Sequence, residues 1–208
     1  MKKIGVLVSG GGTNLQAIID AQQSGLLQSG KIACVISSSS KAYALERANK
    51  AAIPCECLCS KDYPDVELYD EALLALLQKY EIDVVVLAGF LKILGEKVIH
   101  AYQNKIINVH PSLIPSFCGD GYYGLKVHEA ALAYGVKVTG ATVHFVNEVT
   151  DGGAIILQKP VEILSDDTPE TLQKRVMQEA EHIILPQAVE LVCAEKVHIC
   201  GRIVKIEQ

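Results

Sequence analysis

Two short stretches of the chain hold residue types that could do chemistry. In "INVHPSLIPS", Asn108 and His110 stand two apart at the end of an apolar run. In a strand that spacing sends both side chains to one face, and Pro111 forces His110 into extended backbone and stops regular pairing there. In "TDGG", Asp151 sits on a glycine-flanked turn, and His144 lies on the strand-like run before it. These residues do not make a nucleophilic triad: there is no Gly-x-Ser-x-Gly elbow, and no cysteine adjoins a histidine. An amide beside a carboxylate-supported imidazole suits another task, stabilising the oxyanion of acyl transfer and moving a proton between two amines. His110, His144 and Asp151 are also a candidate metal set. A pair of satisfied polar residues at a strand end is the reading without chemistry.

The third informative stretch is "SGGGTNLQAI", Ser9 to Ile18, between the apolar run "IGVLV" and a helix-like pattern. Glycine loses much backbone freedom on folding, so three in a row need a reason. A strand, a glycine turn and a helix N-terminus together make an anion site, because backbone N–H groups converge where the helix dipole favours negative charge. The dinucleotide pattern fails: Gly10 and Gly12 are followed by Leu15 where the third glycine belongs, and "CVISSSSKA" offers a ribose only serines. No Gly-Lys-Ser/Thr follows, so the P-loop fails too. What remains is a turn sized for one phosphate, with Thr13 and Asn14 as side-chain donors. The alternative is a turn that only packs a helix tightly on a strand.

Strand-like runs are "KIGVLVS", "KIACVIS", "IPCECLC", "DVVVLAG" and "KIINVH", separated by helical patterns at Asn14 to Gln23, Ala42 to Ala52 and Val66 to Tyr80. That alternation predicts βαβ units, an α/β fold with a mostly parallel twisted sheet covered on both faces. In the C-terminal half, "KVTGATVHFV" and "GAIILQKPVEI" flank "NEVTDGG" and predict an antiparallel pair added to the sheet. A helix follows with Thr168 as N-cap and Pro169 as first residue, which Pro186 should kink or divide. "KVHICGRIVKI" reads as a last strand. The placement of Asn108 and His110 then matters, since ligands of open α/β sheets bind at the carboxyl ends of buried strands.

Half of the 208 residues are apolar, enough for the core of one domain, and the formal charge is −5 with no basic run beyond "KK". Nucleic acid and anionic membranes are therefore excluded as main partners, while a small anion needs only local positive potential. No apolar segment approaches a membrane span, and the start lacks a signal-peptide pattern, so the expected location is cytoplasmic. Of seven cysteines, Cys55, Cys57 and Cys59 share one face of a strand in "CECLC". They read as a buried face of small hydrophobes rather than a soft-metal site, since no second cysteine group completes four ligands. His128 and His182 read as surface or helix-packing residues.

"SGGGTNLQAI", "DVVVLAGFLKIL", "INVHPSLIPSF", "GATVHFV" and "TDGG" together resemble the folate-dependent formyltransferases that act on glycinamide ribonucleotide, from Lys3 to about Glu190. The resemblance implies a single formyltransferase domain over 1–208, with a phosphate-binding half at 1–104 and a catalytic and folate-binding half at 105–208. It implies Asn108, His110 and Asp151 as the catalytic set. Gly12, Thr13 and Asn14 would hold the acceptor's phosphate, and Glu181 with Gln178 its ribose. Phe90, Leu91, Lys92, Ile93 and Leu94, with Asn108 and with Asn147, Glu148, Val149, Thr150 and Asp151, would line the folate pocket, largely through backbone groups. The implied reaction moves a formyl group from 10-formyltetrahydrofolate, as co-substrate, to glycinamide ribonucleotide in purine synthesis, without a metal, in a monomer or homodimer. The transfer-RNA and hydrolase relatives fit less well, the first for want of length and basic charge, the second because the first strand begins at residue 3. A nucleotide-binding regulatory module is the alternative of a different class, and gives no reason for Asn108, His110 and Asp151 to coexist. Two departures stand out: Val66 occupies a position where many relatives carry a basic residue, and "SFCGDGYYGLKVHEA" is longer than in some, so that Tyr122 and Tyr123 either border the site or pack.

Overall fold

The computed structural model describes residues 1–207. Its centre is a seven-stranded sheet in the order β3-β2-β1-β4-β5-β6-β7. The strands are β1 (Lys2–Val8), β2 (Gly30–Ser37), β3 (Cys55–Cys57), β4 (Val84–Leu87), β5 (Ile106–His110), β6 (Val138–Phe145) and β7 (Ile155–Glu162). β1 to β5 pair in parallel, and β6 is antiparallel to both β5 and β7. The helices are α1 (Thr13–Ser24), α2 (Tyr43–Lys50), α3 (Val66–Lys79), α4 (Glu96–Ala101), α5 (Leu125–Tyr134), α6 (Pro169–Val176) and α7 (His182–Cys193).

Alternation along the strands builds two cores. Ile4, Val6 and Val8 of β1 pack with Leu15 and Ile18 of α1 and Leu185 and Val189 of α7. Leu7 faces the other way, with Val85 and Leu87 of β4 and Leu73 and Leu77 of α3. A strand buried on both faces has no polar side to show, which is why β1 and β4 are continuous apolar runs. The strand order reverses between β1 and β4, and the crevice beyond their carboxyl ends is where such sheets bind ligands. There Ser9 N–H donates to Gly89 O at 3.1 Å and Leu91 N–H to Ser9 Oγ at 2.8 Å.

The single-domain α/β fold and the antiparallel addition follow the sequence pattern, and so does the N-cap: Thr168 Oγ1 accepts from Thr171 N–H at 3.3 Å in a reciprocal capping box. Four details differ. Residues 197–206 form a hairpin, β8 (Val197–Cys200) and β9 (Ile203–Ile206), in a sheet of their own, because Gly201 at φ +64° turns the chain back. The late helix changes geometry ahead of Pro186, in a π turn at Met177–Glu181. α7 then runs through the proline, and a wider turn upstream gives a proline ring room against the preceding carbonyl. α4 and α5 have no counterpart in the sequence pattern, since α4 is six residues long and the buried side of α5 is built from Val127, His128 and Ala131, too few large apolar groups to show a period. Finally, β3 stops at Cys57, so the three thiols do not form a buried face: Cys57 is exposed and Cys55 and Cys59 half-buried.

Candidate active site

The glycine turn leaves β1 and enters α1 with Gly12 in the left-handed region, φ 72° and ψ 31°. A Cβ on Gly12 would lie 2.6 Å from Ala44 Cβ and 2.8 Å from Ala44 Cα, whereas one on Gly10 or Gly11 would meet nothing within 4 Å. The open side of the turn is thus at Gly10 and Gly11. The side chains of the next two residues are already engaged. Thr13 Oγ1 donates to Met177 Sδ at 2.9 Å, and buried Asn14 donates through Nδ2 to Glu181 Oε2 at 2.7 Å. The sequence pattern predicts these two side chains as donors to a phosphate; in this structure they donate to Met177 and Glu181 instead. The Asn14–Glu181 bond ties the turn to the π turn, where Gln178 stands exposed. Burial pushes the Glu181 carboxyl above the usual range, against the pull of Asn14.

Gly12 and Gly11 should therefore respond differently to substitution. Gly12→Val puts its side chain into α2 rather than onto a phosphate, so it should lower the melting temperature. Gly11→Val should keep the melting temperature and weaken acceptor binding alone. Thermal melts beside separate KM values for the acceptor and the folate check this, and an acceptor KM unchanged in Gly11→Val would contradict it.

The second group of residues lies at the end of β5. Asn108 pairs across the ladder with His144 of β6, and His110 with Thr142, so Asn108, His110 and His144 share a face. His110 Nε2 lies 2.9 Å from Phe117 O, which makes it the N–H of the neutral ring, and Nδ1 faces Asp151 Oδ2 at 3.4 Å. His144 Nδ1–H donates to Phe145 O at 2.8 Å. Its Nε2 accepts from Asn108 Nδ2 at 3.2 Å and lies 3.5 Å from Asp151 Oδ1. One N–H of the Asn108 amide is therefore held by His144 and the other is free. Asp151 adopts φ 53° on its turn and accepts from Gly119 N–H at 2.9 Å.

Burial dominates the titration of His110 and lowers its pKa below the ordinary histidine value, although Asp151 and the Phe117 carbonyl pull it upward. Asp151 does raise the His110 pKa, as a carboxylate at that distance should, but desolvation outweighs it. For Asp151 burial pushes upward, yet the neighbouring His144 and His110 rings and the Gly119 N–H together bring it below the usual carboxylate range. At neutral pH the pair is a carboxylate beside a neutral imidazole.

Of the residues expected to line a folate pocket, Phe90 is half-buried, Leu94 buried, and Leu91, Lys92 and Ile93 stand exposed. Asn147, Glu148, Val149 and Thr150 are exposed on the loop that ends at Asp151. Glu148 reaches His100 at 2.8 Å, which ties this loop to α4, the helix that follows residues 90–94. Leu91, Ile93 and Val149 are exposed apolar side chains. Val66 is exposed on the first turn of α3. Tyr122 packs edge-on to Phe117, with ring centroids 6.4 Å apart, and Tyr123 is exposed. A cavity of about 610 Å³ between α1 and α7 reaches the glycine turn only through Thr13 and Arg47, away from Asn108 and Asp151.

Several residues that shape the site escape a reading of motifs. Phe117 and Gly119 act through backbone atoms, which side-chain patterns do not reveal. Asp70 is buried, and its two oxygens accept from Gly95 N–H at 2.9 Å and Val98 N–H at 3.1 Å. It caps α4 and anchors the Phe90–Leu94 loop; the available signal was a carboxylate on the apolar stripe of a helix. His128 is buried with neither ring nitrogen bonded, and burial takes its pKa down to about 4, which bears out packing rather than catalysis. Among the described residues no group of three or more metal-ligating side chains is gathered.

This geometry has close counterparts. A phosphoribosylglycinamide formyltransferase of Haemophilus influenzae is 45% identical over 190 residues, which cover 91% of this chain and 86% of that protein. The trifunctional purine biosynthetic protein adenosine-3 of Homo sapiens is 42% identical over 197 residues, 95% of this chain and 19% of that much longer protein. The crystal structure of glycinamide ribonucleotide transformylase 1 from Symbiobacterium toebii matches with a TM-score of 0.94 at 43% identity, over 100% of this chain and 95% of that one. The formyl transferase family model matches residues 2–189, and with this coverage the chain belongs to the formyl transferase family.

Proposed function

We propose that the protein transfers the formyl group of 10-formyltetrahydrofolate to the amine of N1-(5-phospho-D-ribosyl)glycinamide, giving the N-formyl product in purine synthesis. The observation that carries this reading is the convergence of a half-free amide, a neutral imidazole and an ionised carboxylate at the end of β5, beside a glycine turn with open backbone donors. The folate supplies the formyl carbon; the C–N10 bond breaks, a C–N bond to the acceptor forms, and one amine proton ends on N10.

In this reading Gly12, Thr13 and Asn14 present backbone N–H groups to the acceptor's phosphate, and Glu181 with Gln178 takes its ribose. The amine is thereby placed near Asp151. As it attacks, negative charge develops on the formyl oxygen, and the free N–H of Asn108 donates to it. A second negative charge beside the ring raises the proton affinity of His110 at the step that needs it, and Asp151 balances the imidazolium that forms. Asp151, through water, also accepts the proton that the amine must lose. Residues 90–94 and 147–151 hold the pterin. Residues 1–104 thus carry the phosphate turn and 105–208 the catalytic set, with the Phe90–Leu94 loop contributing to the folate site from the first half. The protein works in the cytoplasm on small molecules, as a monomer or homodimer, without nucleic acid or membrane partners.

The test is the two-substrate assay in the presence of a chelator. Loss of the formyl group from the folate, dependent on the acceptor, is expected to continue undiminished. Activity that disappears with chelation and returns with zinc would replace this mechanism by a metal site at His110, His144 and Asp151.

A further inference from the structure

The glycine turn is held from behind by α2 through two carbonyls. Ala44 N–H donates to Gly10 O at 3.1 Å, and Arg47 Nε donates to Gly11 O at 2.8 Å. In a trans peptide the C=O and the following N–H point in opposite directions. With both carbonyls drawn toward α2, the N–H groups of Gly11 and Gly12 face away from it, toward the side where a Cβ on Gly10 or Gly11 meets nothing within 4 Å. Gly12 in the left-handed region completes the concave arrangement of N–H groups that binds anions.

Arg47 is itself fixed. Its Nη1 donates to Gln16 Oε1 on α1 at 3.0 Å, and its guanidinium carbon lies 5.1 Å from the centre of the Tyr43 ring. A guanidinium that donates to a peptide oxygen polarises that peptide, and its N–H becomes a better donor. The peptide here joins Gly11 to Gly12, so the charge of Arg47 is delivered to Gly12 N–H. Ser9 to Asn14 contain no basic side chain.

We propose that Arg47 is a positioning and specificity residue: it orients and polarises the Gly11–Gly12 peptide, and so selects an acceptor that ends in a phosphate. This rests on the reading above that the turn holds the acceptor's phosphate. The role differs from mere support of the fold, because its effect is felt only by ligands that carry the anion.

The experiment uses the full chain, labelled with nitrogen-15, titrated with ribose 5-phosphate and with ribose while the Gly11 and Gly12 amides are followed. Wild type should bind ribose 5-phosphate with downfield shifts of both amides. Arg47→Met should bind it about tenfold more weakly, the loss of one charge-assisted bond. Arg47→Lys, which keeps the charge but not the fork that reaches Gly11, should fall between the two. In the assay Arg47→Met should raise the acceptor KM by a similar factor, leave the folate KM unchanged and leave kcat within about twofold. Equal binding of ribose 5-phosphate by wild type and Arg47→Met overturns the proposal. So does equal weakening toward acceptor and folate, which marks a structural role, and wild-type affinity in Arg47→Lys, which would leave bulk charge as the whole effect. Arg47-dependent binding of ribose 5-phosphate in a protein that transfers no formyl group would sink the proposed reaction and leave this inference standing.

Discussion

Asn108→Asp should cut turnover by about a hundred- to a thousandfold, the range found when one donor to a developing oxyanion is removed, with much smaller changes in either KM. The substitution keeps the shape of the side chain and replaces its only donor by a carboxylate. In the native site one N–H of Asn108 is held by His144 Nε2 at 3.2 Å, so the amide is oriented before substrate arrives and costs no reorganisation during reaction. The same substitution has a second, opposite signature. A new negative charge two residues from His110 on the same strand face favours imidazolium, so the His110 pKa should rise even as activity collapses. Measuring both separates the donor from the charge. If turnover survives in Asn108→Asp, the oxyanion is stabilised elsewhere and the amide only packs.

The alternation of parallel strands with helices and the grouping of Asn108 with His110 were legible because they depend on local pattern. β4 and β5 are apolar runs, side chains alternate along them, and Pro111 marks where pairing ends. The glycine turn was legible as a strand-to-helix junction with open backbone for a similar reason, since strand, glycines and helix start are contiguous. Its donors were not. Whether Asn14 faces a phosphate or Glu181 depends on how a π turn far along the chain is wound, and no local period encodes that. The same holds for Gly12, where the absence of a side chain looks like an accommodation to ligand but leaves room for Ala44 behind it. Charge states were the least legible. Proximity of Asp151 to His110 is a matter of spacing and turn chemistry, whereas the sign of the His110 shift depends on how much water the fold removes around both. Phe117 and Gly119 remained hidden because an aromatic side chain and a glycine say nothing about which carbonyl or N–H the backbone will aim.

Asp151→Asn should lower turnover by a hundredfold or more, on the order of a general acid–base contribution, while substrate binding changes much less. In the resting site burial outweighs Asp151 and holds the His110 pKa below about 6.5. Free of substrate, His110 is therefore neutral at pH 7, with its N–H on Phe117 O and its lone pair toward Asp151. The carboxylate still works in the opposite direction to burial, and removing it leaves desolvation unopposed. The sign follows: the His110 pKa in Asp151→Asn should be lower than in wild type. The arm of the rate profile that depends on protonating His110 should move to lower pH with it. The amide oxygen that Asp151→Asn introduces can still accept from Gly119 N–H, so the loop is expected to keep its place. A loss of kcat without a matching rise in KM would then report charge rather than position. The decisive measurement is the His110 titration by NMR in both proteins. A pKa that stays put or rises in the variant would show that Asp151 is not the electrostatic partner of His110, and the route by which the developing imidazolium is balanced would have to run through another group.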